Sequence, residues 1–166
     1  MRGQVEVATT EGEIVSVALD PADPTSCPEA VESILDADWV VLGPGSWFSS
    51  VIPHLLVPDL RAALEKTEAR RLVVLNLEGQ QGETQGWSPE DHLGALLAYA
   101  PGLRVDRVLA DPRTVADAAG LRDAVGALGG ELVLAEVAAE DGAGRLAPRH
   151  DHELLATAYR TIFEAV

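Results

Sequence analysis

The sequence predicts an α/β protein built on a parallel sheet, and three observations carry that reading. Short apolar runs recur at residues 39–42, 71–77, 105–110 and 131–137 with helical patterns between them. Strand alternating with helix four times over argues a parallel sheet with right-handed crossovers. The first two runs break off into glycine-rich polar loops, the pattern of buried strands that deliver loops to a ligand crevice. No repeat, low-complexity tract or long linker divides the 166 residues, 47% of them hydrophobic, so residues 1–166 are expected to form one domain or one half of a domain.

Taken in order, residues 4–9 and 13–19 alternate well enough around Thr10-Glu11-Gly12 to predict an N-terminal β-hairpin at an edge or flap. Asp20-Pro21-Ala22-Asp23-Pro24 is a rigid polar loop, and Ser26-Cys27-Pro28-Glu29 resembles a capping box for a short helix through Leu35. The 39–42 strand follows, then a helical stretch starting near Ser49 and a helix over 59–66. After the 71–77 strand and its loop, Ser88-Pro89-Glu90-Asp91 signals a helix start, with the helix running from Pro89 to about Tyr99. The 105–110 strand, an alanine-rich helix over 114–128 and the 131–137 strand complete the sheet. Residues 151–165 close the chain as an amphipathic helix with Leu155, Tyr159 and Ile162 at helical spacing.

The first polar loop is Gly43-Pro44-Gly45-Ser46, followed by Trp47-Phe48-Ser49-Ser50. Gly43 and Gly45 permit close backbone approach or angles closed to other residues, while Ser46, Ser49 and Ser50 bring hydroxyls. A helix starting near Ser49 would point free N–H groups at the loop, which suits a phosphate, a carboxylate or a nucleotide; the competing reading is a strand-to-helix turn that binds nothing. The second loop, Glu78 to Gly86, carries Gln80, Gly82, Glu83 and Thr84 after Asn76. Both loops leave the carboxyl ends of their strands and so face one crevice, although glycine and amide loops are also ordinary solvated connections.

Composition narrows the partners. Twenty-seven acidic against 12 basic residues give a net charge of −15, which makes nucleic acid and anionic membrane poor partners. No Gly-Lys-Ser/Thr is present, so a phosphate would be held by backbone N–H groups, hydroxyls or an arginine. The single cysteine excludes an internal disulfide and fits a reducing compartment; with no signal peptide and no apolar stretch of membrane-spanning length, a cytoplasmic protein is expected.

The two loops together carry a resemblance. Gly43-Pro44-Gly45-Ser46, Ser49-Ser50-Val51-Ile52-Pro53-His54-Leu55-Leu56-Val57-Pro58, and Asn76-Leu77 through Gln80 to Gly82-Glu83-Thr84 with Asp91-His92 look like the gluconeogenesis-factor (YvcK-like) family, which is related to 2-phospho-L-lactate transferase (CofD-like). The resemblance runs from Gly3 to about Asp111 and more loosely to the end. It implies a Rossmann-like, three-layer fold, a UDP-sugar ligand such as UDP-N-acetylglucosamine, and a role in cell-envelope and cell-shape homeostasis and in growth on gluconeogenic carbon sources. Trp47-Phe48 stands where the family more often has Leu-Tyr, His54 where Asn is usual, and Glu78-Gly79 and Gln81 replace Met-Thr and Pro. The family's glycine-rich first βα turn, of the form Gly-Gly-Gly-His/Thr-Gly, occurs nowhere here, so the resemblance is to the carboxyl-terminal half of a member about twice as long, part of a larger domain.

On this reading the ligand contacts are Gly43, Gly45, Ser46, Ser49, Ser50, Asn76, Gln80, Gly82, Glu83, Thr84 and His92. No catalytic residue is assigned, no metal set is recognised and no cofactor is expected beyond the UDP-sugar itself. The competing class is an enzyme, a CofD-like transferase moving a phospho-lactyl-type group; a third is a partner-binding domain with structural loops. His92 suits ligand contact or helix packing equally, Asp91 suits a cap, His54 packing, and His150-Asp151-His152 a helix N-terminus with solvated imidazoles. Arg113, after Asp111-Pro112, could approach a diphosphate or pair with a carboxylate. A sheet cut from a larger domain leaves an apolar face or edge to cover, so a homodimer is expected.

Overall fold

The computed structural model describes residues 2–8 and 14–165. Its framework is a four-stranded sheet, β1 (Trp39–Leu42), β2 (Arg70–Val74), β3 (Arg107–Ala110) and β4 (Glu131–Leu134), in that spatial order. All three pairings are parallel, with Leu42 opposite Val73, Val73 opposite Val108 and Leu109 opposite Val133. Leu72, Val73 and Val74 are all fully buried, because a parallel sheet covered on both faces buries side chains of either parity.

Parity divides the core in two. Leu42, Val73, Val108 and Leu132 face a helical layer that supplies Ile52, Leu55, Leu64, Leu96, Leu121 and Val125. Those residues come from α3 (Ile52–Leu56), α4 (Pro58–Lys66), α5 (Pro89–Tyr99) and α6 (Ala118–Ala127), with α2 (Pro28–Leu35) adding Ile34. Leu72, Val74 and Leu109 face the other way, onto Ala158 and Ile162 of α7 (His152–Glu164). The result is a three-layer Rossmann-like α/β arrangement in which, among the described residues, α7 is the helix that covers that side of the sheet. Trp39 on β1 meets Phe163 of α7 at a ring separation of 5.1 Å, and Arg70 lies 5.5 Å above the Trp39 ring.

Several helices start where local chemistry says they should. Ser88 and Asp91 form a reciprocal capping box at α5, and Asp151 accepts from the N–H groups of Glu153 and Leu154 at α7. Asp117 does the same for Ala119 and Gly120, so α6 begins at Ala118, later than the expected 114. At α2 the expected box is absent: Cys27 occupies the cap position and Ser26 donates its hydroxyl to Asp59 instead.

Two further expectations are corrected. The N-terminal hairpin does not form, because Gln4–Ala8 is a single-turn helix, α1, and residues 14–19 have no regular structure; Thr10-Glu11-Gly12 lies outside the described residues. This segment is tied to the core by Gln4 Nε2 donating to Ser49 O, Ile14 N to Gly82 O and Val17 N to the Tyr99 hydroxyl. The last sheet strand stops at Leu134, short of 137, and the chain turns into an antiparallel hairpin of β5 (Ala138–Glu140) and β6 (Leu146–His150). The cause is Asp111, just past β3, whose Oδ2 accepts from both Val137 N and Ala138 N at 2.8 Å and takes them out of the sheet.

Candidate functional site

The carboxyl ends of β1 and β2 open into a cleft of about 580 Å³. Its walls are Pro44 and Gly45 from the first loop, residues 76–81 with Glu83 from the second, and residues 148–150 of β6. A smaller cavity of about 60 Å³ adjoins it, sharing residues 76–79 and reaching His92, Trp87 and Ala110.

Backbone geometry fixes the first loop. Gly43 has φ +83°, and a Cβ there would lie 2.6 Å from Val74 O, so glycine is demanded by both angle and space. Asn76 then acts as a substitute strand partner: its Oδ1 accepts from Gly45 N at 3.1 Å and its Nδ2 donates to Gly45 O at 2.9 Å. In the second loop Gly79 approaches Thr84 O so closely that a Cβ would sit 2.3 Å away. The Thr84 hydroxyl, fully buried, accepts from Gln80 N at 3.0 Å.

Glu83 joins the two loops. Its carboxylate, 5% exposed, accepts from the Ser46 hydroxyl at 2.6 and 2.7 Å and from Phe48 N at 3.4 Å. Ser46 also accepts from Ser49 N at 3.1 Å, capping a π-helical turn over Trp47–Val51 that runs into α3. The helical start is therefore at Trp47, earlier than Ser49, and the anion at its N-terminus is the protein's own Glu83. An open, dipole-favoured phosphate position is not what the local backbone offers there.

Of the sequence-predicted residues, Gly45, Asn76, Gln80 and Glu83 line the cleft and His92 lines the smaller cavity. Gly43, Ser46, Ser49, Gly82 and Thr84 stand outside the cleft lining, Ser49 and Thr84 buried and Ser46 engaged by Glu83; Ser50 is exposed, its N–H donating to Ser46 O. Pro148, Arg149 and His150 enter the cleft unforeseen. Asp141-Gly142, a turn signal, with Gly144 after it, is the feature that would have pointed to a turn there, although Leu146 to His150, with Pro148, carries no strand signal of its own.

The remaining candidates resolve structurally. Arg113 donates to Asp111 through Nε at 3.0 Å and Nη2 at 2.8 Å and also reaches Glu140 and Glu136, so it holds the hairpin and faces carboxylates instead of a diphosphate. Burial opposes ionisation of Asp111, but the Arg113 guanidinium and the N–H groups of Arg113, Ala138 and Val137 outweigh it and hold the carboxyl well below the usual carboxylate range. His150 is not the solvated imidazole expected: burial pushes it below its ordinary value against a hydrogen bond to the Leu75 backbone, and its Nε2 has no partner among the described residues. His54 is exposed, its Nδ1 3.3 Å from Val51 O, so it does not fill the packing role expected of it, and Cys27 is an exposed free thiol. Among the described residues no group of three His, Cys, Asp or Glu is placed to hold a metal ion, and no helix is long and apolar enough to cross a membrane.

With this geometry in view, comparison with known proteins is decisive for the family: the family model of 2-phospho-L-lactate transferase CofD matches residues 1–127. The chain belongs to the CofD-like family. Among its relatives, one from Mycobacterium tuberculosis, named as a gluconeogenesis factor, is 54% identical over 115 residues, covering 69% of this chain and 34% of the relative. Another of that name, from Nostoc, is 35% identical over 94% of this chain and 37% of its own length. A crystal structure of a UPF0052-family protein from Bacillus halodurans superposes with a TM-score of 0.77 at 28% identity, over 96% of this chain and 54% of that one. This CofD-like chain thus spans about a third of the curated relatives it matches and about half of the solved one.

Proposed function

We propose that this chain contributes to a nucleotide-sugar site, for a UDP-sugar of the UDP-N-acetylglucosamine type, in a cytoplasmic regulatory protein of the gluconeogenesis-factor kind that serves cell-envelope and cell-shape homeostasis and carbon metabolism. The observation that supports it most is the cleft itself. At about 580 Å³ it falls in the range of small-molecule sites, roughly 300–1,000 Å³. It lies beyond the carboxyl ends of parallel strands, where α/β sheets bind ligands, and its walls offer glycine backbone, side-chain amides and one arginine, Arg149. Amides and backbone groups suit a uracil edge and sugar hydroxyls, and Arg149 is the cleft's guanidinium for a diphosphate.

The alternative is a CofD-like transferase acting on a phospho-lactyl-type group, favoured by the name of the matching family model. Glu83, the cleft's most buried carboxylate, is engaged by Ser46 and Phe48 N, which suits an anchor better than a general base. Calorimetry and thermal unfolding with UDP-N-acetylglucosamine test the reading, since a ligand that binds only the folded state raises the melting temperature. Heat and a rising Tm are expected; neither at millimolar ligand would sink it. We also propose self-association through β1, which has no strand on its outer side among the described residues and leaves Val41 38% exposed. Sedimentation of a concentration-independent monomer would contradict that.

A further inference from the structure

His92, on the first turn of α5, is 4% exposed and stands edge-on to Trp47 and Trp87, with ring separations of 5.1 and 5.3 Å. Its Nδ1 lies 2.8 Å from Ser88 O. A carbonyl oxygen only accepts, so Nδ1 carries the hydrogen. Burial in an aromatic cage disfavours imidazolium and pushes the ring below its ordinary pKa, against the pull of the Ser88 carbonyl and of Asp91. The neutral ring then has one tautomer left, with a bare lone pair on Nε2. That Nε2 is buried and without a partner among the described residues.

His92 is among the residues that line the 60 Å³ cavity, which shares the 76–79 strip with the main cleft. Among the described residues no lysine or arginine lines this cavity, and Glu78 does, so it repels anions. Thr114, also on its wall, already donates its hydroxyl hydrogen to Asp111 O and presents only lone pairs. The volume admits a hydroxymethyl-sized arm.

We propose that this cavity is a hydroxyl-reading subsite, in which a ligand seated in the main cleft reaches past residues 76–79 and donates an O–H to His92 Nε2. The inference rests on the nucleotide-sugar reading of the cleft and names the part of the ligand read there: a neutral hydrogen-bond donor on the sugar, and neither a carboxylate nor a phosphate. It also gives Trp47 and Trp87 a role, as the walls that keep the imidazole buried and its tautomer fixed.

Long-range ¹H–¹⁵N NMR of the histidine rings tests this, with UDP, N-acetylglucosamine and UDP-N-acetylglucosamine titrated in turn. The free protein is expected to show His92 Nε2 as an unprotonated nitrogen. Either sugar-bearing probe should move that resonance toward lower ppm, and UDP alone should not. In calorimetry, His92→Phe, which keeps an aromatic ring and removes the lone pair, should reduce the preference for UDP-N-acetylglucosamine over UDP from about tenfold to about one. An Nε2 resonance that stays still with both sugar probes, as it would if only water enters, overturns the subsite. The cleft reading is followed separately at the Asn76 side-chain amide: a UDP titration that leaves it unmoved counts against the nucleotide site, whatever His92 does.

Discussion

Arg71 and His92 are equally buried, each 4% exposed, yet they sit at opposite ends of the sheet and are treated differently by their surroundings. At the amino end of β2 every polar reach of Arg71 is answered. Nε donates to Leu64 O at 2.8 Å, Nη2 to Thr67 O at 2.6 Å, and Asp106 accepts from Arg71 N at 2.7 Å while facing the guanidinium at 3.7 Å. Arg107 and Glu131 pair beside it at 2.9 Å. At the carboxyl end, His92 and His150 each keep a buried Nε2 without a partner among the described residues. Burying a polar atom unpaired costs free energy, so the surroundings of Arg71 serve stability, while the carboxyl end, beside satisfied groups such as Asp111, also holds unspent binding capacity at the two imidazoles.

The largest expected effect is at the satisfied end. Arg71→Ala orphans the Leu64 and Thr67 carbonyls and removes the guanidinium that faces Asp106, leaving only the backbone N–H of residue 71 on that carboxylate, and should cost about 4 kcal/mol of unfolding free energy in urea titration. UDP-N-acetylglucosamine affinity of the folded fraction should be unchanged; a large loss would blur the division between the ends. Asp111→Asn should cost about 3 kcal/mol at pH 7, because one amide oxygen replaces a carboxylate that serves Arg113, Val137 and Ala138. Its folded pKa is depressed, so the stabilisation is present above the unfolded value near 3.9 and is lost as pH falls through the folded one. The gap between wild type and variant should hold from pH 7 to about 5 and shrink below about 4. A gap that widens in acid would reverse the sign assigned here.

Gly43→Ala should cost about 2 kcal/mol, from positive φ and the approach to Val74 O, and should weaken ligand binding as well, since the loop it displaces walls the cleft. His92→Phe is the sharpest contrast with Arg71→Ala. Removing an unanswered acceptor offsets the lost Ser88 bond, so the stability change should stay under about 1 kcal/mol despite the burial. A loss as large as that of Arg71→Ala would mean that His92 is structural and the two ends are alike.

What the sequence disclosed was local. The Ser88 capping box and the caps at the last helix depend on residues two or three apart, and β1 and β2 announce themselves as apolar runs. The N-terminal alternation misled because Val5 and Val15, two of its apolar members, are 75% and 88% exposed, while Ile14 is buried in the core. In the site, the glycines and Asn76 were legible as loop chemistry, but the grip of Glu83 on Ser46 spans 37 positions and leaves no pattern in either segment. The third wall depends on Asp111 reaching Val137 and Ala138 across 26 and 27 positions, a long-range contact that turns a strand into a hairpin.

The latch between Glu83, Ser46 and Phe48 N has a kinetic consequence. A glycine-rich loop ordinarily loses conformational entropy when it closes on a ligand, and that loss weakens affinity and slows productive encounters. Here the loop is already fastened from within, by a carboxylate on one side and the Asn76 amide on the other. Association at this cleft should therefore resemble docking to a rigid surface, with an on-rate set by diffusion and orientation, and differences among ligands should appear in how long they stay.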